Sequence, residues 1–305
     1  MTAVRRTAVQ PAGPALGEAA AAFLEGVANP NTARAYAVAL AALSAELGLG
    51  APLTTLEGEV GADRVGRWFT AQWGHRAPAT FDLRLDALSA ATSWWRDQDW
   101  LTGDPLVRLT RRPRMVDRTK ALSHAQVDAL LTGKSPLRER TLWRLLYESA
   151  ARAGEVLALD ADDLDLRNRR AKVHRKGGAV DVITWRTETA RLLPRLLGKR
   201  RTGPVFLTDR RAQVQLAPLD LDPATGRARL SYRRAAELFT AAANGATLHQ
   251  LRHSALTHAA EDGTNTATLL SYSGHTSVAS LARYARVSPE ALGRWQAERD
   301  PARRR

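Results

Sequence analysis

The sequence predicts an α+β, mostly helical chain: an all-α N-terminal domain, then a mixed domain of helices around a small antiparallel sheet. Three observations carry this reading. Apolar residues recur at helical spacing from Ala15 to about Leu109 without an alternating stretch. A basic, proline-containing stretch without apolar period interrupts the chain at residues 110–120, and beyond it one alternating segment with a glycine turn stands among further helices. The boundaries read from this are 15–109 for the helical domain, 110–120 for a basic linker, and 121–305 for the second domain with its C-terminal tail. At 305 residues the chain is long enough for two ordinary cores.

Taken in order, Asn31 is placed as an N-cap, with Tyr36, Leu40, Leu43 and Leu47 forming one apolar stripe after it and Gly48 and Gly50 ending the helix. A second strong helix spans about Pro78 to Gln98, with Phe81, Leu85, Leu88 and Trp95 on one side; aromatics at this spacing read as core. Ser123-His124-Ala125-Gln126 is a capping box that starts a helix through Leu131. Another runs from about Leu137 to Ala150. The period then changes to two: Ala171 to Arg175, a Lys176-Gly177-Gly178-Ala179 turn, and Val180 to Trp185 make a hairpin. Helices return over Thr187–Leu197, Ser231–Ala243 and about Leu248–Gly263. Residues 203–230, rich in Pro, Gly and Asp, give no clear element.

A formal charge of +14 and a pI near 11.0 favour a polyanionic partner, nucleic acid above all. Lysine occurs only at 120, 134, 172, 176 and 199, so the excess is nearly all arginine and partly a compositional bias. Without cysteine there is no disulfide framework, thiolate metal site or cysteine nucleophile. No signal peptide or membrane span is read at the N-terminus, and a cytoplasmic, nucleoid-associated protein is expected.

Two metal motifs fail on inspection. His249-Gln250-Leu251-Arg252-His253 has Gln250 where a zinc peptidase needs a carboxylate base, and Arg252 repels a dication. Asp160-Ala161-Asp162-Asp163-Leu164-Asp165 lacks the glycine and the bidentate Glu of a calcium loop, and reads as an acidic connection. No cofactor or metal is expected. The remaining constellation is Arg152 followed by Glu155, Lys176 at the hairpin turn, His249 with Arg252, Gly274-His275, and Tyr284. Each member alone has an ordinary explanation as a surface ion pair, an exposed turn residue or helix packing.

Taken together and in this order, these residues resemble the tyrosine recombinase (phage integrase) family over nearly the whole chain. The family pattern is an arginine in a G/A-x-R-x-x-E context, a hairpin lysine, H-x-x-R, a G-H pair and a tyrosine about nine residues on; here 284 − 275 = 9. Gln250 departs from the usual Asp, and Ser271-Tyr272-Ser273 reads as a two-residue insertion. Tyr272 and Tyr284 are both available, and the interval selects Tyr284. The resemblance implies a SAM-like core-binding domain at 15–109 and a mixed α/β catalytic domain after it. It implies a site-specific recombinase or integrase acting through a 3′-phosphotyrosyl intermediate, with Arg152, Lys176, His249, Arg252, His275 and Tyr284 as catalytic residues. Implied partners are double-stranded DNA carrying a specific site and three further copies of the chain on two duplexes; Leu292 and Trp295 of the tail are expected to dock on a neighbouring subunit. Arg34, Arg84, Arg112, Arg114 and Arg118 are the candidate phosphate contacts. No arm-binding domain is read before Ala15, so simple sites are expected. A type IB-like topoisomerase and a non-catalytic DNA-binding protein of the same fold are the alternatives.

Overall fold

Helix caps and apolar stripes divide the N-terminal part of the chain into four helices, α1 (Leu16–Glu25), α2 (Pro30–Leu47), α3 (Gly58–Trp73) and α4 (Pro78–Asp97). The computed structural model describes residues 13–113, 121–175, 178–281 and 289–300. These fall into two compact units, one within Met1–Met115 and one within Val116–Arg305.

In the first unit, Leu16, Phe23, Leu40, Leu43, Phe69, Leu88 and Trp95 share one core. The indole N–H of Trp95 donates to the Ala19 carbonyl at 2.9 Å, so the largest buried side chain of α4 also satisfies its polar atom on α1. The N-cap of α2 is Asn29, not Asn31. The Asn29 carboxamide oxygen accepts from the backbone N–H groups of Asn31 and Thr32, and Pro30 occupies the first helical position, where its missing N–H costs nothing.

The second unit opens on the Ser123 capping box, with Gln126 reaching back to the Ser123 N–H. Its helices are α5 (His124–Thr132), α6 (Leu137–Ser149), α7 (Ala153–Leu157), α8 (Thr187–Leu197), α9 (Tyr232–Ala242), α10 (Leu248–Glu261), α11 (Thr266–Ser273), α12 (Val278–Leu281) and α13 (Pro289–Arg299). Between α7 and α8 lies an antiparallel sheet of β1 (Leu164–Asp165), β2 (Arg170–His174) and β3 (Val180–Thr184), in that order. Ala171 and Val173 face the core while Lys172 and His174 face outward, as the period of two requires.

Residues 203–230, unread in the sequence, contain a second sheet. β4 (Leu207–Arg211) pairs antiparallel with β5 (Arg227–Arg229) across an irregular register. Its organiser is Arg229, whose guanidinium binds Asp220 at 2.8 Å, Asp160 at 2.7 Å and the carbonyls of Leu157, Ala158 and Leu159. The acidic connection at 160–165 thus serves this tie and contributes β1. Trp143, Phe206, Phe239, Leu145 and Leu251 fill the main core. A smaller cluster of Ala150, Leu256, Leu269 and Leu281 sits where α6, α10, α11 and α12 meet.

Ser271, Tyr272 and Ser273 form the last turn of α11. Among the described residues no helix is long and apolar enough to cross a membrane.

Candidate active site

Arg152, Glu155, His249 and Arg252 line one cleft of about 420 Å³, together with Ala153, Gly154, His174, Tyr232 and Leu248. Residues about 100 positions apart meet there because α7 and α10 both pack on the core beneath: Val156 and Leu251 are fully buried on the inner sides of the helices that present Arg152 and His249.

Arg152 is the N-cap residue of α7. Its backbone N–H donates to Glu155 Oε2 at 3.0 Å, and its guanidinium Nη1 donates to Glu155 Oε1 at 2.8 Å. Glu155 is buried, while the Arg152 side chain keeps 44% exposure. One carboxylate therefore fixes the guanidinium from behind and leaves its other donors toward the cleft.

Arg252 is held differently. It is 4% exposed, donates through Nη2 to the Ser273 carbonyl at 2.7 Å, and donates through Nη1 to the Ala150 carbonyl. Ala150 ends α6 in the left-handed conformation, φ 48°, which turns that carbonyl toward Arg252. His249 stands exposed one turn before Arg252, on a helix whose N-terminus is closed by the Thr247–Gln250 capping box. Gln250, the departure from the family's Asp, makes the reciprocal cap contact to the Thr247 N–H at 2.9 Å.

His275 is half-buried, and its backbone N–H donates to Ser273 Oγ at 3.2 Å. Gly274 before it caps α11 at φ +60°, a conformation that favours glycine. Tyr272, the competing tyrosine, is bound inside: its hydroxyl donates to the carbonyls of Tyr147 and Glu148, both at 3.0 Å, and burial pushes its phenol well above the ordinary range. Ionisation there is opposed and the oxygen is committed. Lys176 and Tyr284 lie outside the described residues, as do Arg114 and Arg118.

The remaining arginines singled out in the sequence differ in surroundings. Arg34 is exposed on α2. Arg84 donates to the Ala35 carbonyl at 2.8 Å and ties α4 to α2. Arg112 donates to the carbonyls of Arg76 at 3.1 Å and Gly74 at 2.7 Å, and stacks 3.9 Å from the centre of the Phe81 ring. Both Arg84 and Arg112 have packing roles within the first unit.

The cleft residues that sequence reasoning passed over are His174 and Tyr232. His174 carried a signal, lying two residues before Lys176 on the outward face of β2; Tyr232 follows the Ser231 N-cap of α9. Nothing local marks either as facing Arg252.

A helical unit, then a mostly helical unit with a small antiparallel sheet and a cleft of paired arginines and imidazoles, defines the tyrosine-recombinase class of fold. Residues 120–291 match the phage integrase family. The tyrosine recombinase XerC of Mycobacterium leprae is 31% identical over 283 residues, which cover 87% of this chain and 91% of the relative. That of Myxococcus xanthus is 28% identical over 277 residues, covering 87% and 89%. Among solved structures, the Tn1549 transposon integrase in complex with circular intermediate DNA superposes with a TM-score of 0.66 at 17% identity, over 94% of this chain and 99% of that one. The lambda integrase, residues 75–356, bound to DNA gives 0.66 at 15% identity, over 89% and 96%. The chain belongs to the phage integrase family of tyrosine recombinases. It is an enzyme of site-specific DNA recombination.

Proposed function

We propose that this cleft binds the scissile phosphodiester of a specific recombination site, and that Tyr284 attacks it. The observation that carries the reading is the convergence of Arg152, His249 and Arg252 on one cleft, with the Gly274-His275 pair tied to Arg252 through Ser273. Two guanidiniums are permanently charged and suit the nonbridging oxygens, whose charge grows in the transition state; His275 adds a donor. The Tyr284 phenol, ordinarily of pKa ~10, transfers its proton to His249 or to water held by it as the oxygen–phosphorus bond forms. The phosphorus–O5′ bond breaks, and the Lys176 ammonium supplies the proton to the departing 5′-oxygen. The 3′-phosphotyrosyl bond retains the energy of the phosphodiester, so attack by a 5′-hydroxyl of another strand reverses the step.

In this reading residues 15–109 form the core-binding domain, residues 110–120 are the linker, and the catalytic domain follows to 305. Four protomers act on two double-stranded sites, in the cytoplasm on the nucleoid. Arg34, Arg114 and Arg118 are the phosphate contacts retained from the sequence, and the half-exposed Leu292 and Trp295 of α13, 49% and 46% accessible, are the surface offered to a neighbouring subunit.

The test is a nicked suicide substrate built from inverted repeats that flank the gene, incubated in excess EDTA. A covalent protein–DNA adduct is expected with the wild type and with Tyr272→Phe. Tyr284→Phe is expected to lose the adduct and keep DNA affinity. An adduct that survives Tyr284→Phe, or that requires a metal ion, overturns the assignment.

A further inference from the structure

The residue before Lys176 makes contacts that a turn residue does not need. Arg175 closes the hairpin turn on both sides: its backbone N–H donates to the Ala179 carbonyl at 2.8 Å, and its carbonyl accepts from the Gly178 N–H at 3.1 Å, with Gly178 at φ +84°. Its side chain is only 10% exposed. Nε donates to Asp181 on β3 at 2.6 Å. Nη1 lies 3.6 Å from Glu155 Oε1, the same oxygen that holds Arg152, and 3.4 Å from the Ser273 carbonyl, the same carbonyl that accepts from Arg252. The guanidinium covers the face of Gly274 so closely that a Cβ there would collide with it.

We infer that Arg175 is a positioning residue that pins the tip of the β2–β3 hairpin to the wall of the site formed by Glu155 and Ser273-Gly274, and so sets where the hairpin delivers its proton donor. A short connection between two β-strands has few contacts of its own to hold it. Here one buried guanidinium joins the hairpin, α7 and the end of α11. Its anchor on Asp181 moves with the hairpin, while Glu155 and Ser273 belong to the elements that hold the two phosphate-binding arginines. Arg175 therefore acts on the leaving-group side of the reaction through the hairpin. This inference rests on the reading of Lys176 as the general acid.

The test compares single-turnover cleavage by wild type, Arg175→Ala, Arg175→Lys and Lys176→Ala on two suicide substrates. One has an ordinary scissile phosphate and the other a 5′-bridging sulfur, whose thiolate departs without a proton because its conjugate acid is far more acidic than an alcohol. Arg175→Ala is expected to slow the ordinary substrate on the order of tenfold, part of the ~10²–10⁴ that a general acid contributes. It should approach the wild-type rate on the sulfur substrate with DNA affinity unchanged, and Arg175→Lys should fall between. Equal slowing on both substrates, a parallel loss of DNA affinity, or no slowing overturns the inference. If Lys176→Ala is selectively rescued by sulfur and Arg175→Ala is not, only the role of Arg175 falls; if Lys176→Ala is not rescued, the general-acid reading falls and takes this inference with it. Should Arg175→Ala melt below the assay temperature, Asp181→Asn, which removes the partially exposed anchor, is expected to show the same selective rescue on a smaller scale, and its absence counts against the inference.

Discussion

Arg152 and Arg252 carry the same guanidinium into one cleft under opposite conditions. Arg152 is held by a single buried carboxylate and is nearly half exposed, so its removal frees Glu155 beside Arg175, another cation. Arg252 is buried and satisfies two carbonyls that end α6 and α11. A buried carbonyl left without a donor costs about 1–3 kcal/mol. Both Arg152→Ala and Arg252→Ala are expected to abolish cleavage, but urea melts should show a loss of about 2 kcal/mol or more for Arg252→Ala and little change for Arg152→Ala. Equal melting midpoints for the two variants would mean that Arg252 does not support the helix ends. A lysine at 252 has no planar fork to reach both carbonyls, so Arg252→Lys is expected to behave like the alanine variant in both measurements.

At the scale of elements, the start of α5 is joined to α10 by an imidazole pair. His124 stacks on His258 with ring centroids 3.6 Å apart, and His258 Nδ1 bonds the Tyr147 hydroxyl of α6 at 2.7 Å. Burial, reinforced by the neighbouring His124 cation when it forms, holds the His258 imidazole below its ordinary 6.5. Because the folded-state value is depressed, the unfolded chain binds the proton more readily, so this group's contribution to stability is intact above about pH 6.5 and declines as pH falls through the folded value. Thermal melts between pH 7.5 and pH 5 should therefore show a loss on acidification. His124→Ala should reduce that loss by removing the like charge. An identical pH dependence in wild type and variant would show that the stack does not couple to stability. The same logic of local partners explains the caps: Asn29, Ser123, Thr247 and Asn265 each accept from N–H groups two or three residues on, and three of these four start helices whose faces build the second unit.

For the whole molecule, the +14 charge predicts binding that weakens steeply with salt. Each phosphate neutralised contributes about 0.9 to the slope of log K against log salt. Replacing Arg114 and Arg118 by Ala should lower the slope by about 1.8 on specific and unrelated DNA alike if each meets one phosphate. Arg112→Ala should instead lower the melting temperature, because Arg112 closes two carbonyls and covers Phe81 within the first unit. A slope unchanged by the first pair, or an Arg112→Ala variant that changes slope and not stability, reverses these assignments.

The sequence alone determined the features written in neighbouring residues. The capping box at Ser123, the α2 and α4 stripes, the glycine-turned hairpin and the ordered set Arg152, Lys176, His249, Arg252, His275 and Tyr284 are all local or strictly ordered along the chain, and the family follows from them. The cap of α2 was displaced by two residues because Asn29 and Asn31 are equally good acceptors, and only the position of Pro30 in the first turn decides between them. Tertiary structure alone decided the rest. β4 and β5 are short and irregular, and they are strands because Arg229 gathers Asp160, Asp220 and the end of α7 around them. Likewise the burial of Arg252, the retirement of Tyr272 into carbonyl contacts, the exposure of His174 and Tyr232 to the cleft, and the reach of Arg175 to Glu155 and Ser273 each join positions roughly 20 to 125 residues apart. A period of 2 or 3.6 says which face of an element is apolar; it does not say which other element that face, or a long guanidinium beside it, will meet.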